Sequence, residues 1–313
     1  MRRKAVLILV LVVTASWAHG GEIVVGSLNM EWFGHGYKPR TGAQIATMAD
    51  YIRSLEIDVL AVQEVSQTGD KSQNGVADWT DLLADLGPGY QGWLGKTGGS
   101  QRVGFIWRTE RVELTDLGEL NGIQREAVPS CDKETFPRIP VTAFVKSKGG
   151  GVDLRLIAVH LFATSDKARY AEGKKLNAWV KTYLQGNSDK DLIVIGDFNS
   201  KSLGAQGDDD NDNDGDSETI KNLEKDGTLT CVSKEHAEYT TATSQERYDH
   251  AALTSALLNG KYVKGSWDVR REAISLAPTD YKEAISNHLP VTLRISDDED
   301  PDNDPTGDHG VDE

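Results

Sequence analysis

"LIVIGDFNS", Leu192–Ser200, joins an apolar run to polar side chains that follow it at once. Four consecutive aliphatic residues, Leu192–Ile195, are typical of a strand that is buried on both faces. Asp197 and Asn199 come directly after this run. Alternate residues of an extended chain point to the same side, so the carboxylate and the amide are expected to face one way. The stretch therefore predicts a core strand that ends in a polar site.

The same arrangement recurs along the chain, because several other strand-like runs have polar groups at one end. The runs are Ile23–Leu28, Val59–Val62, Val103–Trp107, Val141–Val145, Leu154–Val159, Ala251–Leu253 and Val291–Ile295. The polar residues beside them are Asn29, Glu31, Glu64, His160, Asp249, Asn287 and His288. Each such residue alone is an ordinary strand-end or turn residue. Their joint occurrence predicts that the strand ends converge on one rim of the fold.

Helical periodicity is confined to isolated stretches between the strands. Apolar residues repeat at helical spacing in two places, Ile45–Ile52 and Leu176–Tyr183. Many strands with helices inserted singly favour a sheet packed on a sheet, with the helices outside. The sequence therefore predicts an α/β sandwich rather than a doubly wound parallel sheet.

The two ends of the chain differ in composition from the body. Arg2, Arg3 and Lys4 precede the apolar run Ala5–Val13, and small residues follow. This pattern predicts a signal peptide over residues 1–20 and a secreted or periplasmic protein. No later stretch is apolar enough to cross a bilayer, so no membrane insertion is expected. Residues 21–296 are predicted to form the catalytic domain and residues 297–313 an acidic disordered tail. We infer no protein partner and expect a monomer.

The net charge of −15 is concentrated in two segments. Without residues 1–20 the chain has 31 basic and 49 acidic residues, and 15 of the acids lie in residues 208–216 and 297–313. The remaining body is nearly neutral, so overall charge neither supports nor excludes a polyanionic substrate.

Two further features suggest sites away from the strand ends. Alternating acids fit the first half of a calcium loop, although Lys221 stands where such a loop needs its final Glu. The candidate calcium loop comprises Asp210, Asp212, Asp214 and Asp216. A structural Ca²⁺ and a merely solvated loop are both compatible with it. In an oxidising compartment Cys131 and Cys231 are candidates for a disulfide, and two unpaired buried thiols are the alternative.

Eight short stretches together resemble the endonuclease/exonuclease/phosphatase superfamily, which includes the DNase I-like nucleases. They are "LNMEW" (Leu28–Trp32), "AVQEV" (Ala61–Val65), "VGFIWR" (Val103–Arg108), "FPRIP" (Phe136–Pro140), "LIAVHL" (Leu156–Leu161), "VIGDFNS" (Val194–Ser200), "RYDHAALTS" (Arg247–Ser255) and "SNHLPV" (Ser286–Val291). They occur in the family's order and span most of residues 22–296. The resemblance implies a four-layer αββα sandwich with two packed, mostly antiparallel sheets flanked by helices.

The resemblance also implies metal-assisted hydrolysis of phosphate esters with Mg²⁺ or Mn²⁺. It makes Glu64 the main metal ligand, with Glu31, Asn29 and Asn287 beside it. It makes His288 the general base or a transition-state imidazole that Asp249 orients. The remaining implied roles are a general acid or phosphate donor at His160, a carboxylate at Asp197 that orients the attacking water or shares the base role, and a phosphate contact at Asn199.

One position departs from the family pattern. The family has an acid before the histidine of its last motif, where this chain has Asn287. An amide oxygen ligates without charge, so the affinity for the metal should be lower than in the family.

Three functions compete at this stage. The first is an exported nuclease acting on DNA or RNA, with Arg138, Arg102 and Arg108 as phosphate contacts. The second is a phosphatase or a phospholipid or inositol-phosphate diesterase on the same scaffold. The third is a calcium-binding surface protein with weakened catalysis. Trp32 is expected in the core rather than as a surface for base stacking, and His35 in a flexible loop.

Overall fold

Two six-stranded sheets lie face to face, with helices on their outer surfaces. A computed structural model describes residues 21–66, 75–201, 216–235, 238–271 and 276–298. The first sheet has the spatial order β11 (Asp268–Val269), β12 (Val291–Ser296), β1 (Glu22–Phe33), β2 (Val59–Val65), β4 (Arg102–Arg108), β3 (Tyr90–Leu94). The second has the order β5 (Val112–Glu119), β6 (Val141–Ser147), β7 (Asp153–His160), β8 (Leu192–Asp197), β10 (Asp249–Thr254), β9 (Leu229–Cys231).

Only the central pair of each sheet is parallel. Strand β1 runs parallel to β2, and β7 runs parallel to β8, whereas every other described pair is antiparallel. The carboxyl ends of these four strands therefore lie at one edge, where the amino ends of β10 and β12 join them. The predicted αββα sandwich is confirmed.

The helices cover the two outer faces. The first sheet carries α1 (Gly42–Ser54), α2 (Gly75–Leu86) and α6 (Pro278–Ala284). The second carries α3 (Asp166–Gly186) and α4 (Asp216–Leu223), and α5 (Ser255–Gly260) follows β10. Helix α1 begins with a capping box, since Thr41 Oγ1 accepts from Gln44 N and Gln44 Oε1 accepts from Thr41 N. No helix among the described residues has the length and apolarity to span a membrane.

Strand β8 is buried on both faces, which explains its uninterrupted apolar sequence. Ile193 and Ile195 face the core between the sheets, whereas Leu192 and Val194 pack under α3 and α4. Gly196 then lets β7 approach closely, because a Cβ at this position would lie 2.1 Å from the carbonyl oxygen of Val159. Both faces of β8 are covered, and its polar end emerges only at the edge of the sheet.

Strands at the periphery were not predicted from the sequence. Strands β3 and β5 lie at sheet edges, and β9 and β11 are only three and two residues long. Edge strands keep one face or one side in solvent, so their apolar pattern is weaker than that of central strands.

The predicted disulfide is wrong, because both cysteines are free. Cys231 is buried with its Sγ 3.2 Å from Ser233 Oγ, whereas Cys131 Sγ lies 3.8 Å from Ser165 Oγ. The two thiols therefore have separate surroundings, on β9 and near the start of α3.

The folded domain extends past the predicted boundary at residue 296. Asp297 accepts hydrogen bonds from Gly151 N, Val152 N and Ser147 Oγ at 3.1, 3.0 and 2.6 Å. Its carboxylate therefore closes the loop between β6 and β7. The predicted signal peptide, the tail beyond Asp298 and the candidate calcium ligands Asp210, Asp212 and Asp214 lie outside the described residues, and Asp216 begins α4.

Candidate active site

Three side chains from three strands meet at the gap between the sheets. Glu64 is the penultimate residue of β2, His160 ends β7 and Asp197 ends β8, and one ligand atom of each lies within 4.8 Å of the other two. His160 Nε2 is 3.8 Å from Glu64 Oε1 and 3.6 Å from Asp197 Oδ2. Register explains this convergence, because His160 pairs with Asp197 across β7 and β8.

Backbone irregularity aims several of these side chains into the gap. The registers of β1 and β2 shift between Asn29 and Phe33, and those of β2 and β4 shift beside Glu64. Glu31, Glu64 and Asn199 have φ values of 45°, 57° and 49°. Non-glycine residues rarely adopt this left-handed region, and such residues occur preferentially at functional sites. The strand ends are therefore bent where the polar groups converge.

Asn29 holds two carboxylates in place. Its Nδ2 donates to Glu64 Oε1 at 3.2 Å and to Asp197 Oδ2 at 2.9 Å. Its Oδ1 accepts from Glu31 N at 2.9 Å. The amide nitrogen thus faces the two acids, and the amide oxygen that the predicted metal ligation requires is directed to the backbone. In this structure Asn29 positions the acids instead of offering a ligand oxygen.

Asp249 and His288 form a buried ion pair at the opposite side of the gap. Asp249 Oδ2 lies 2.8 Å from His288 Nδ1, and His288 Nε2 lies 3.8 Å from Asp197 Oδ2. Burial alone would lower the pKa of His288, but the negative charges of Asp249 and Asp197 outweigh it and raise the pKa to about 10. The imidazole of His288 is therefore charged at neutral pH.

His160 has the opposite electrostatic surroundings. Burial lowers its pKa well below the usual value, and the positive charges of Arg138 and His288 lower it further. Its Nδ1 is buried and has no hydrogen-bond partner. The imidazole of His160 is therefore neutral at neutral pH.

Asp197 lies between the two histidines. Burial raises its pKa to about 6, although the charge of His288 and the amide of Asn29 oppose this shift. Asn199 N donates to Asp197 Oδ1 at 2.8 Å, and Asn199 Nδ2 donates to the carbonyl of Leu161 at 3.0 Å. Asn199 thus ties the end of β8 to the end of β7. One N–H of its side-chain amide is therefore used within the protein, and the predicted phosphate contact of Asn199 stays a prediction.

Glu31 and Asn287 lie next to the three-residue cluster, and a lysine joins them. Asn287 N donates to Glu31 Oε2 at 2.8 Å, and Lys38 Nζ forms an ion pair with the same carboxylate. Asn287 Oδ1 is buried without a partner. Lys38 was not predicted, because its loop contains no motif that marks it.

The three arginines predicted to contact phosphate differ in position and in hydrogen-bond partners. Arg138 is buried, and its guanidinium donates to His160 O, Leu161 O and Gln101 Oε1 at 3.0, 2.9 and 2.8 Å. It therefore fixes the chain after β7 and is not a free phosphate contact. Arg102 begins β4 opposite Val65, at the site end, and donates to the carbonyl of Gly95.

The prediction for Arg108 is wrong. Antiparallel pairing places this residue at the other end of β4, about 20 Å from Arg102 at the usual rise per residue. It pairs there with Glu110 at 2.7 Å and with Asp58 at 3.5 Å.

Glu172 of α3 supports the site although the sequence analysis overlooked it. Its Oε1 accepts from Phe136 N at 2.6 Å and its Oε2 accepts from Phe162 N at 2.8 Å. Burial raises the pKa of this carboxyl to about 7, although the two backbone donors oppose the shift. Glu172 thus joins the Arg138 loop to the segment that follows His160. Nothing in the local sequence identifies its partners, which are brought to it by the tertiary fold.

The donor set fits a divalent cation. Glu64 and Asp197 offer carboxylate oxygens, and Asn287, which is hydrogen-bonded to Glu31, has a buried side-chain oxygen without a partner. Oxygen ligands suit Mg²⁺, and Mn²⁺ also accepts an imidazole nitrogen such as that of His160. An oxyanion at the cation would accept a hydrogen bond from the charged imidazole of His288.

Comparison with known proteins agrees with this geometry. Residues 26–297 match the family model described as Endonuclease/Exonuclease/phosphatase family. No curated protein matches the chain. Among solved structures, a family protein of Bacteroides thetaiotaomicron is 16% identical with a TM-score of 0.59, covering 90% of this chain and 96% of that chain.

Two other solved structures have printed activities or names. A mannosyl-6-phosphatase of Bacteroides thetaiotaomicron is 16% identical with a TM-score of 0.56, covering 87% of this chain and 99% of that chain. The human Nocturnin catalytic domain with bound sulfate is 18% identical with a TM-score of 0.59, covering 88% of this chain and 93% of that chain. At these identities the similarities establish the fold alone.

Proposed function

The chain belongs to the endonuclease/exonuclease/phosphatase family, and on that premise we propose that it is an exported, metal-dependent nuclease that hydrolyses phosphodiester bonds of DNA or RNA. The observation that carries the proposal is the placement of Asp197 between two histidines, one positively charged and one neutral. The carboxylate provides the proton acceptor and the charged imidazole provides the positive charge that ester hydrolysis requires.

The residues of the chain divide the chemistry as follows. Asp197 accepts a proton from the attacking water, and its raised pKa makes it a stronger base than an exposed aspartate. The His288 imidazolium, held by Asp249, donates a hydrogen bond to a phosphate oxygen. The bond from phosphorus to the leaving oxygen breaks, and the departing alkoxide takes a proton from solvent.

Glu64 and Asp197 would hold the cation, and the unpartnered Asn287 Oδ1 is a further candidate ligand. Bound there, Mg²⁺ or Mn²⁺ supplies positive charge that neutralises the phosphate oxygens. Glu31 forms an ion pair with Lys38, whereas no ion pair among the described residues joins Glu64 or Asp197 to a lysine or an arginine. This favours occupancy by a single divalent ion.

A phosphatase on the same scaffold is the second candidate. The fold shared with the mannosyl-6-phosphatase favours it, since the same cluster can hold a terminal phosphate. The two activities need the same charged groups and differ in whether the phosphate carries one ester or two.

One assay separates these functions. The protein is incubated with Mg²⁺ or Mn²⁺ on plasmid DNA, on RNA, on bis-p-nitrophenyl phosphate and on p-nitrophenyl phosphate. Cleavage of the nucleic acids and the diester, lost in Asp197→Asn, supports the nuclease. Release from the monoester alone supports the phosphatase. No turnover of any substrate contradicts both, and would favour a surface protein that binds calcium through residues 208–216.

Export has its own test. Expression of the full chain in a bacterial host, followed by fractionation and N-terminal sequencing, should give a product outside the cytoplasm that begins near residue 20. A cytoplasmic product with an intact N-terminus would contradict export.

A further inference from the structure

Three aromatic rings stand together beside the site, at the end of β1 and in the loop that follows it. The ring centroids of Trp32 and His35 are 5.0 Å apart, those of Trp32 and Tyr37 are 5.2 Å apart, and those of His35 and Tyr37 are 4.6 Å apart. We call these three residues the aromatic cluster. Trp32 was expected in the core and His35 in a flexible loop, but the structure places both in this packed group.

Hydrogen bonds fix the loop that carries the cluster. His35 N donates to the carbonyl of Trp32 at 2.9 Å, and Lys38 N donates to the carbonyl of His35 at 3.0 Å. Tyr37 N donates to His35 Nδ1 at 3.1 Å. The buried guanidinium of Arg40 then donates to the carbonyls of Ala284 and Ile285 at 2.8 and 2.5 Å. The rings are therefore held in place and are not part of a loosely attached loop.

The cluster adjoins the carboxylates of the site. Trp32 N donates to Glu64 Oε2 at 3.1 Å, so the backbone of the cluster contacts the predicted metal ligand directly. Glu31, which precedes Trp32, accepts from Asn287. A substrate whose phosphate lies at Glu64 and Asp197 would place its next chemical group near these rings.

Tyr37 is the most exposed large hydrophobic residue in the described part of the chain. It is 79% exposed, compared with 43% for Tyr239 and 40% for Tyr170. A single exposed tyrosine is ordinary on a protein surface. This one is unusual because it is fixed, packed edge-on against Trp32 and adjacent to the site.

We infer that the aromatic cluster stacks with a nucleobase of the substrate strand, next to the phosphate that is cleaved. The inference rests on the proposed nuclease function and narrows its substrate to strands with unpaired bases. A base within a duplex already stacks on its neighbours, whereas an unpaired base presents a free face to an exposed ring. Lys38 at this edge is paired with Glu31, so we assign the substrate contact here to the rings and not to an ionic contact with phosphate.

The decisive comparison uses two oligomers of equal length and charge. One is oligothymidylate, and the other carries abasic tetrahydrofuran units in place of every nucleoside. The variants are Tyr37→Ala, Tyr37→Phe, which retains the ring, and Tyr170→Ala as a matched exposed tyrosine on α3. Cleavage is followed as kcat and KM, and binding is measured by fluorescence anisotropy in the Asp197→Asn background.

Tyr37→Ala should raise KM and Kd for oligothymidylate by roughly 5- to 100-fold, the range that loss of one base–ring stack produces. Its values for the abasic oligomer should not change, and Tyr37→Phe and Tyr170→Ala should match the wild type on both. Equal effects of Tyr37→Ala on the two oligomers, or none on either, would overturn the inference.

The cleavage and binding measurements together distinguish this inference from the nuclease function on which it rests. Cleavage of both oligomers without any dependence on Tyr37 leaves the nuclease and removes the stacking role. Tyr37-dependent binding of oligothymidylate without cleavage by the wild type leaves the stacking surface and removes the nuclease. A hairpin duplex of the same charge should bind more weakly than the single strand, and equal binding would contradict the preference for unpaired bases.

Discussion

His160 and His288 stand at the same gap between the sheets, yet their surroundings oppose each other. Each has an imidazole nitrogen within 4 Å of Asp197 Oδ2, at 3.6 and 3.8 Å. His288 is paired with Asp249. His160 is buried, and its backbone carbonyl accepts a hydrogen bond from the guanidinium of Arg138. Identical side chains at similar distances from one carboxylate therefore carry different charges.

The difference teaches that the neighbours set the role of each histidine. A negative partner keeps His288 protonated, and burial beside a guanidinium keeps His160 neutral. Pairs of titratable groups with pKa values pushed apart are typical of acid–base assignments in active sites. The site therefore separates a positive charge from a neutral imidazole with Asp197 between them.

Removing the shared carboxylate should have the largest effect. Asp197→Asn keeps the shape but loses the proton acceptor common to both histidines, so kcat should fall by roughly 1,000-fold or more. Steady-state cleavage of a diester at saturating metal measures it. Asp226→Asn, which removes an exposed acid paired with Lys181, is the matched control and should leave kcat unchanged. Residual activity within tenfold of the wild type would contradict the role of Asp197.

The two histidines should differ when each is replaced by asparagine. His288→Asn removes a fixed positive charge, and kcat should fall by roughly 100- to 10,000-fold. His160→Asn removes a neutral group, so its loss should be smaller. Asp249→Asn should move the alkaline limb of the His288-dependent activity to lower pH, because without Asp249 the imidazole loses its proton more readily. Equal losses from the two histidine variants would remove the distinction between them.

The surroundings of His160 can be tested through Glu172, whose buried carboxyl should make the stability of the protein depend on pH. The pKa of Glu172 is about 7 in the folded protein compared with an ordinary 4.5, so the folded state favours the protonated carboxyl. The free energy of unfolding should therefore fall by about 3 kcal/mol as pH rises between these values. Urea unfolding of wild type and Glu172→Gln across this range measures the difference, which should level off above about pH 7. A parallel pH profile in both proteins would contradict the burial of a titrating carboxyl at residue 172.

The site near His288 can be tested through Asn287, the preceding residue in the chain. Asn287→Asp adds a negative charge near the proposed cation, so the Mg²⁺ concentration for half-activity should fall by about tenfold. Metal titrations of the initial rate, with Asn259→Asp as a surface control on α5, measure the change. An unchanged half-activity concentration would show that residue 287 does not contact the cation.

Much of the fold could be predicted because the central strands are encoded by continuous apolar runs. Leu192–Ile195 and Leu154–Val159 are buried on both faces, so their sequence leaves little choice of structure. The edge strands β3 and β5 were missed because their partly exposed residues resemble loops. The disulfide prediction failed for a different reason, since cysteine count and compartment contain no information on distance.

The site could be predicted only as far as polar groups follow recognisable strands. The structure brings Glu64, His160, Asp197 and His288 together, as the strand ends indicated. The contacts that set their charges were harder to predict from the sequence. Arg138 was identified, but its use by backbone carbonyls depends on the path of the chain after β7. Glu172 and Lys38 were missed because their partners are distant elements that only the tertiary fold brings close.

Histidine protonation in the wild-type protein tests the central claim most directly. NMR of isotope-labelled side-chain nitrogens, with resonances assigned through His160→Asn and His288→Asn, reports the state of each ring across pH. We predict that His288 carries two protons from neutral pH up to about 10, while His160 remains neutral throughout. Titration of both rings together near the ordinary histidine pKa, or a charged His160 beside a neutral His288, would contradict the account.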